Sequence, residues 1–240
     1  MARNGTSARL RYDEGCLGAH ALNTIGDRWA LLVVRELMFA PKRFQMIRAG
    51  LPGITASVLT GRLGQLVDAG VVDHDPVPGT YRLTDRGRAL HPVLTELCRW
   101  ALILPGHDPG RFISPTALMI SISATVDIRR AAGSPLRAGF VSGSEAFEVT
   151  LSSSGQPQVR AVRQVDADFV ATGSGNMLAR TIYGPQPPQE LAAEGAIALH
   201  GDAAAAQEFM SFFSLQPQLQ IRSSSDAPDE TEQVPGLSST

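Results

Sequence analysis

Thr55, Ser57, Thr60, Gly61 and Arg62 crowd into one short run of the chain. They supply hydroxyls, a backbone position without a side chain, and a guanidinium. Such groups exchange hydrogen bonds with base edges and phosphate oxygens, provided they share one side of a helix that fits a groove. The neighbouring residues meet that condition. Val58, Leu59, Leu63, Leu66 and Val67 recur at helical spacing and give the helix a buried face opposite the polar one. Leu51-Pro52-Gly53 interrupts the chain just before it, because proline cannot continue a helix and glycine tolerates positive φ. Thr55 offers an N-cap hydroxyl, and Ala69-Gly70 ends the helix with glycine at C′. Arg43, His74 and Arg82 flank the run and suit phosphate contact.

The surrounding elements would hold that helix in place. Arg28 to Leu37 is strongly apolar and reads as a helix ending near Phe39-Ala40-Pro41. Arg43 to Arg48, with Phe44 and Ile47 three apart, suits a short positioning helix. Val71 to Val77 and Thr80 to Thr84 read as two strands joined across Pro78-Gly79. Thr84-Asp85-Arg86-Gly87 then opens a helix with Leu90, Val93, Leu94, Leu97, Trp100 and Ala101 along one side. Two helices across a tight turn followed by a hairpin make a winged helix-turn-helix spanning Thr24 to Trp100.

These residues resemble the HxlR-type transcriptional regulators. The likeness rests on Ile25-Gly26-Asp27-Arg28-Trp29, Arg43-Phe44, Leu51-Pro52-Gly53-Ile54, Val58-Leu59-Thr60, Asp68-Ala69-Gly70-Val71-Val72, Tyr81-Arg82-Leu83-Thr84 and Gly87, within about the first 105 residues. The resemblance implies a homodimer joined by the N-terminal helix and the helix after the wing, with its two recognition helices addressing a palindromic double-stranded DNA operator. The chain departs from the family pattern at Ser57, where a second basic residue is usual, and at Cys16-Leu17, where the family has Cys-Pro.

Charge divides unevenly. The 240-residue chain carries a net charge of −2. Residues 1–112 hold 14 Lys/Arg against 10 Asp/Glu, and residues 113–240 hold 7 against 13. The basic half is the one with the helix-turn-helix, as a DNA reader requires. Cys16 and Cys98 are too few for a metal set and fit a reducing compartment. The polar start, Met1-Ala2-Arg3-Asn4, has no signal-peptide character, and no apolar run reaches membrane-spanning length, so a cytoplasmic bacterial protein with no membrane partner is expected. His20, His74, His91, His107 and His200 lack metal-ligand spacing. Gly173-Ser174-Gly175 lacks the third glycine of a dinucleotide loop, and no Gly-x-Ser-x-Gly elbow occurs. Neither enzyme, cofactor nor metal is expected.

Leu104 to Arg111 is rich in proline and glycine and reads as a linker. Beyond it comes a helix over Pro115 to Arg130, then strands at Arg137–Val141, Ala146–Leu151, Gln158–Val162 and Ala167–Thr172. Helices at Met177–Tyr183 and Pro188–Ala193, a strand at Ala196–Leu199 and a helix from Asp202 to Phe213 complete it. This order, closing with Glu194 to Asp202, resembles the sterol-carrier-protein fold, which implies an apolar cavity between sheet and helices. Phe140, Phe147, Phe169, Met177, Ile182, Tyr183, Phe209, Phe212 and Phe213 would line it and bind a small hydrophobic effector.

The expected fold class is therefore α+β. The boundaries are a flexible N-terminus at 1–12, the winged helix-turn-helix at 13–104, a linker at 105–114, the sterol-carrier-like α/β sandwich at 115–215 and a disordered tail at 216–240. The reading is a dimeric DNA-binding regulator modulated by that effector. Two rivals stand beside it: a hydrophobic-ligand carrier with a degenerate DNA-binding domain, and a thiol sensor acting through Cys16.

Overall fold

The computed structural model describes residues 12–216. The expected N-terminal arm, up to residue 11, and the expected tail from residue 217 lie outside the described residues.

The first half follows the expected element order. It runs α1 (Leu17–Ile25), α2 (Ala30–Glu36), β1 (Lys42–Arg43), α3 (Phe44–Ala49), α4 (Ala56–Asp68), β2 (Val72–Asp75), β3 (Thr80–Leu83), α5 (Asp85–Arg88) and α6 (His91–Ala101). Local chemistry sets the bounds of α4. The Thr55 hydroxyl accepts the Val58 N–H at 3.3 Å. At the other end Gly70 sits at φ 65°, the Gly70 N–H bonds Val67 O, and the Val71 N–H bonds Leu66 O, both at 2.9 Å. That is a Schellman closure, which satisfies carbonyls the helix would otherwise leave open. Leu59, Leu63 and Leu66 are buried, but Val58 is 38% exposed and does not belong to the buried face expected of it.

Two details of this half differ from expectation. Lys42–Arg43 forms a third strand, giving the wing sheet the order β1-β3-β2, with Lys42 opposite Tyr81 and Arg43 opposite Thr80. The helix after the wing is broken into α5 and α6, with Pro92 in the first turn of α6. A proline there lacks only an N–H that has no helical partner anyway, so it starts a helix easily and continues one badly.

The second half contains α7 (Pro115–Thr125), α8 (Ile128–Ala131), β4 (Ala138–Ser142), β5 (Glu145–Leu151), β6 (Pro157–Ala161), β7 (Phe169–Thr172), α9 (Gly175–Tyr183), α10 (Pro188–Ala193), β8 (Ala198–Gly201) and α11 (Ala203–Met210). Its five strands form one mixed sheet, order β6-β5-β4-β7-β8, with β4 and β7 parallel and the other pairs antiparallel. Asp202 caps α11 by accepting from the Ala204 and Ala205 N–H groups, as expected. The expected helix over Pro115 to Arg130 is cut at Val126, which is extended and bridges to Phe213. Asp127 then caps α8 by accepting from Arg129 and Arg130. A carboxylate that can cap a new helix start competes with continuing the old one.

α7 joins the two cores. None of its residues is exposed, and its hydroxyl side chains lie among apolar ones. Leu118, Met119 and Ile122 enter the second core while Ile120 enters the first. The chain passes through the proline-glycine linker, but the halves pack directly.

Candidate nucleic-acid interface and the joint behind it

The outer side of α4 presents Ser57, Thr60 and Gly61, all exposed. Thr55 is exposed at the cap, and its hydroxyl is engaged by the helix. Arg62 is placed differently from expectation. Its side chain is only 17% exposed, with Nη2 2.9 Å from Asp27 Oδ2. Its Nη1 donates to Gln65 Oε1 at 2.6 Å. A fork-shaped cation offered a carboxylate and an amide within reach lies against them rather than extending into solvent. Arg62 therefore ties α4 to the turn between α1 and α2, and the open side of α4 is built of hydroxyls and glycine.

The flanking cations sit on the wing sheet. Arg43, on β1, is exposed, and its backbone forms the N-cap of α3. Arg82 on β3 lies 2.5 Å from Asp73 on β2, both about half exposed. Such a surface pair is worth at most about 1 kcal/mol and is easily given up for a phosphate. His74 stacks on Tyr81 with centroids 4.4 Å apart. The wing tip, Pro76 to Gly79, carries no charge.

Behind β1 lies a cluster the sequence reading missed. Glu36 and Lys42 have side chains only 1% and 3% exposed. Lys42 Nζ contacts Glu36 Oε2 at 3.2 Å, Thr116 Oγ1 at 2.8 Å and Glu145 Oε1 at 2.5 Å. The ammonium thus donates to Glu36 and Thr116 and pairs electrostatically with Glu145. Glu36 Oε1 accepts from Ser114 Oγ at 2.6 Å and from Arg35 Nη2 at 2.8 Å. The signals were present in the sequence. Lys42 is the only lysine of the chain, and Glu36 follows Val33 and Val34 and precedes Leu37 on an apolar helix.

In the second half, Phe140, Phe169 and Phe209 are wholly buried, and Phe147, Ile182, Phe212 and Phe213 nearly so. The Phe209 ring lies 5.6 Å from Phe169, 6.3 Å from Phe140 and 5.2 Å from Phe213, centroid to centroid. These rings fill the space between sheet and helices. Met177 and Tyr183 are half-buried. A cleft of about 860 Å³ lies between the halves, walled by Leu31, Leu32, Leu94 and Leu97 on one side and by Phe112, Ile120 and Tyr183 on the other. Of the nine expected ligand residues only Tyr183 reaches it. The Tyr183 hydroxyl is hydrogen-bonded to Ser121 Oγ at 2.7 Å and Thr125 Oγ1 at 3.1 Å. Burial pushes its pKa up to about 12 against the opposing effect of those hydroxyls.

Cys16 is exposed at the N-cap position of α1, where its side chain makes no capping bond. Cys98 borders the cleft, and burial raises its thiol pKa. Among the described residues no His, Cys, Asp or Glu cluster could hold a metal ion, and no helix is long and apolar enough to cross a membrane.

The HxlR-like helix-turn-helix family model matches residues 24–104, the span from the end of α1 to just beyond α6. Bacillus subtilis YvaP, an uncharacterised helix-turn-helix transcriptional regulator, is 41% identical over 86 residues, which is 34% of this chain and 80% of that protein. The chain belongs to the HxlR-like helix-turn-helix family. Bacillus subtilis YodB, also a helix-turn-helix transcriptional regulator, is 36% identical over 86 residues, covering 34% of this chain and 77% of its own. The quinone-bound crystal structure of YodB aligns with 36% of this chain and 96% of its own at 36% identity and a TM-score of 0.34. These curated relatives are named as transcriptional regulators rather than enzymes, and this HxlR-like chain is a regulator with a DNA-binding helix-turn-helix.

Proposed function

We propose that this HxlR-like protein acts as a homodimer on a palindromic operator, and that a small hydrophobic effector engaging its C-terminal half alters that binding. The observation that carries the DNA-reading part is α4, a 13-residue helix capped at both ends, with Ser57, Thr60 and Gly61 exposed on its outer side and Arg43, His74 and Arg82 on the sheet beside it. Hydroxyls and a bare glycine allow close approach to base edges, while the wing cations supply phosphate contacts. The dimer part is supported by an uncovered apolar surface. On α1 Leu17 and Leu22 are 85% and 49% exposed, and on α6 Val93, Leu97 and Trp100 are 42%, 41% and 57% exposed. A patch of that kind on a soluble protein marks an interface.

The effector part is supported by the five-stranded sheet backed by α7, α9 and α11, an order of elements similar to the sterol-carrier plan. The cleft between the halves has the size of a small-molecule site. Footprinting on the DNA upstream of its own gene tests the reading. Wild type should protect two half-sites about one helical turn apart, and Thr60→Glu should abolish protection without changing the circular dichroism spectrum. A folded protein that prefers no sequence over competitor DNA at physiological salt would defeat it.

One observation favours the carrier reading instead. With Arg62 turned inward to Asp27, the outer side of α4 has no cation of its own. A carrier would bind hydrophobic ligand equally well with Thr60→Glu, whereas a regulator would lose DNA binding. The thiol-sensor reading rests on the exposure of Cys16 and fails if Cys16→Ser leaves the response to oxidants unchanged.

A further inference from the structure

We infer that the buried Glu36–Lys42–Glu145 cluster is the joint through which the C-terminal half sets the position of the wing and of the turn leading into α4. The inference takes its consequence for DNA from the regulator reading above, but its physical basis is independent of it.

The participants come from four elements. Glu36 ends α2, Lys42 lies on β1, Ser114 and Thr116 stand at the start of α7, and Glu145 opens β5. α2 and β1 belong to the first half and β5 to the second, and among the described residues Lys42 alone pairs with both glutamates. Its anchoring matters because β1 has little else to fix it: two residues, paired with β3 at Tyr81 and Thr80. Arg43, the next residue, heads α3. Any displacement of the β4–β5 hairpin is thus passed by Glu145 to Lys42, and from β1 to the wing strand beside it.

A second arm reaches the recognition turn. Arg35 Nη2 bridges Glu36 Oε1 and the carbonyl of Gly50, the latter at 3.0 Å. Gly50 closes α3, and a Cβ at that position would collide with the Glu36 carboxylate. The carboxylate therefore packs against backbone that continues directly into Leu51-Pro52-Gly53 and the Thr55 cap. Ser114 closes the circuit. Its hydroxyl donates to Glu36 and accepts the Ala117 N–H as the N-cap of α7. An acidic group at that helix start is electrostatically favourable.

Buried ion pairs add little net stability over apolar packing, yet removing one partner is costly because the other charge stays buried and unpaired. A joint so built resists separation of its partners. Glu145, at 20% side-chain exposure the most accessible acidic member, is the one from which the contact opens.

The chain offers its own probe. Because Lys42 is the only lysine, acylation by succinimidyl acetate reports on this joint and otherwise only on the chain's α-amine. Full-length wild type should show Lys42 strongly protected by mass spectrometry. Glu145→Gln, which keeps the shape and removes the charge, should raise Lys42 acylation at least tenfold. The same variant should speed amide hydrogen exchange in 41–50 and 80–84, segments remote in sequence from the change. Glu145→Asp should recover part of the protection. Phe209→Leu, a packing change at the far side of the second core, serves as control and should not single out those segments.

The inference is overturned if Lys42 stays protected in Glu145→Gln, if faster exchange is confined to 142–151, or if Phe209→Leu gives the same pattern. Should Glu145→Gln fail to fold, Thr116→Val removes one Lys42 partner from the C-terminal side and is read the same way. Neither measurement uses DNA, so failure of the regulator reading would leave them standing and their failure would leave that reading intact.

Discussion

The two halves solve the packing problem with different materials. The N-terminal core is aliphatic, built from residues such as Val33, Val34, Ile47, Leu59, Leu63 and Leu66. The C-terminal core is built around phenylalanines, with Phe140, Phe169 and Phe209 wholly buried. The halves also finish differently. Among the described residues every exposed large apolar side chain lies at or before Phe112, and none lies in the sheet half. The C-terminal half is closed on itself and against its neighbour, while the N-terminal half keeps the outer sides of α1 and α6 open. Under the proposed dimer, that open apolar surface is where the second chain would sit.

This contrast can be broken by experiment. The largest effects are expected from the cores: Phe209→Ala should cost about 3–5 kcal/mol and Leu63→Ala about 2–5 kcal/mol in denaturant titration. Because α7 contributes Ile120 to one core and Leu118, Met119 and Ile122 to the other, both variants should shift a single transition. A transition that splits in either variant would show the halves to be independent.

Smaller effects sharpen the contrast. Tyr183 is protonated when folded, with its pKa held at about 12 against an ordinary 10.0. The stability it contributes is complete below pH 10, because both states keep the proton there. It is lost as pH rises from about 10 toward 12, where the unfolded chain ionises first. Chemical denaturation across that window should show the loss in wild type and less of it in Tyr183→Phe. Thr84 accepts the Gly87 N–H and donates to the carbonyl of Gly70, so Thr84→Ala should cost about 1 kcal/mol by thermal melting. Smallest in the isolated subunit is Trp100→Ser, within about 0.5 kcal/mol because the ring is exposed. The same change should lower the sedimenting mass if α6 forms the dimer contact, and an unchanged mass would move the contact elsewhere.

The two halves were also unequally legible. The winged helix-turn-helix was readable because its determinants are local. A threonine cap, a glycine at C′, and a proline-glycine turn at 78–79 each act within a few residues, so the elements fall where their chemistry puts them. The strands of the second half were found by alternation, but not their order: β4 pairs with β7 across the intervening β5 and β6, and no residue-by-residue pattern encodes that. The expected helix to Arg130 failed at Val126 because a bridge to Phe213, far along the chain, competed with it.

The polar face of α4 was legible in outline, but the placement of Arg62 against Asp27 was not. Spacing placed Ser57, Thr60 and Arg62 on one side, and nothing in the run showed that Asp27 lies within reach of the arginine. For Lys42 the sequence signalled an unusual charge, but not that Thr116 and Glu145, far along the chain, meet it. From its sequence this protein already had its cap positions, turns and amphipathic periods, since those depend on groups within one or two helical turns. The fold alone decided which cations face outward, which charges are buried together, and that the phenylalanines meet one another around Phe209, because such outcomes depend on which distant side chain arrives within bonding distance.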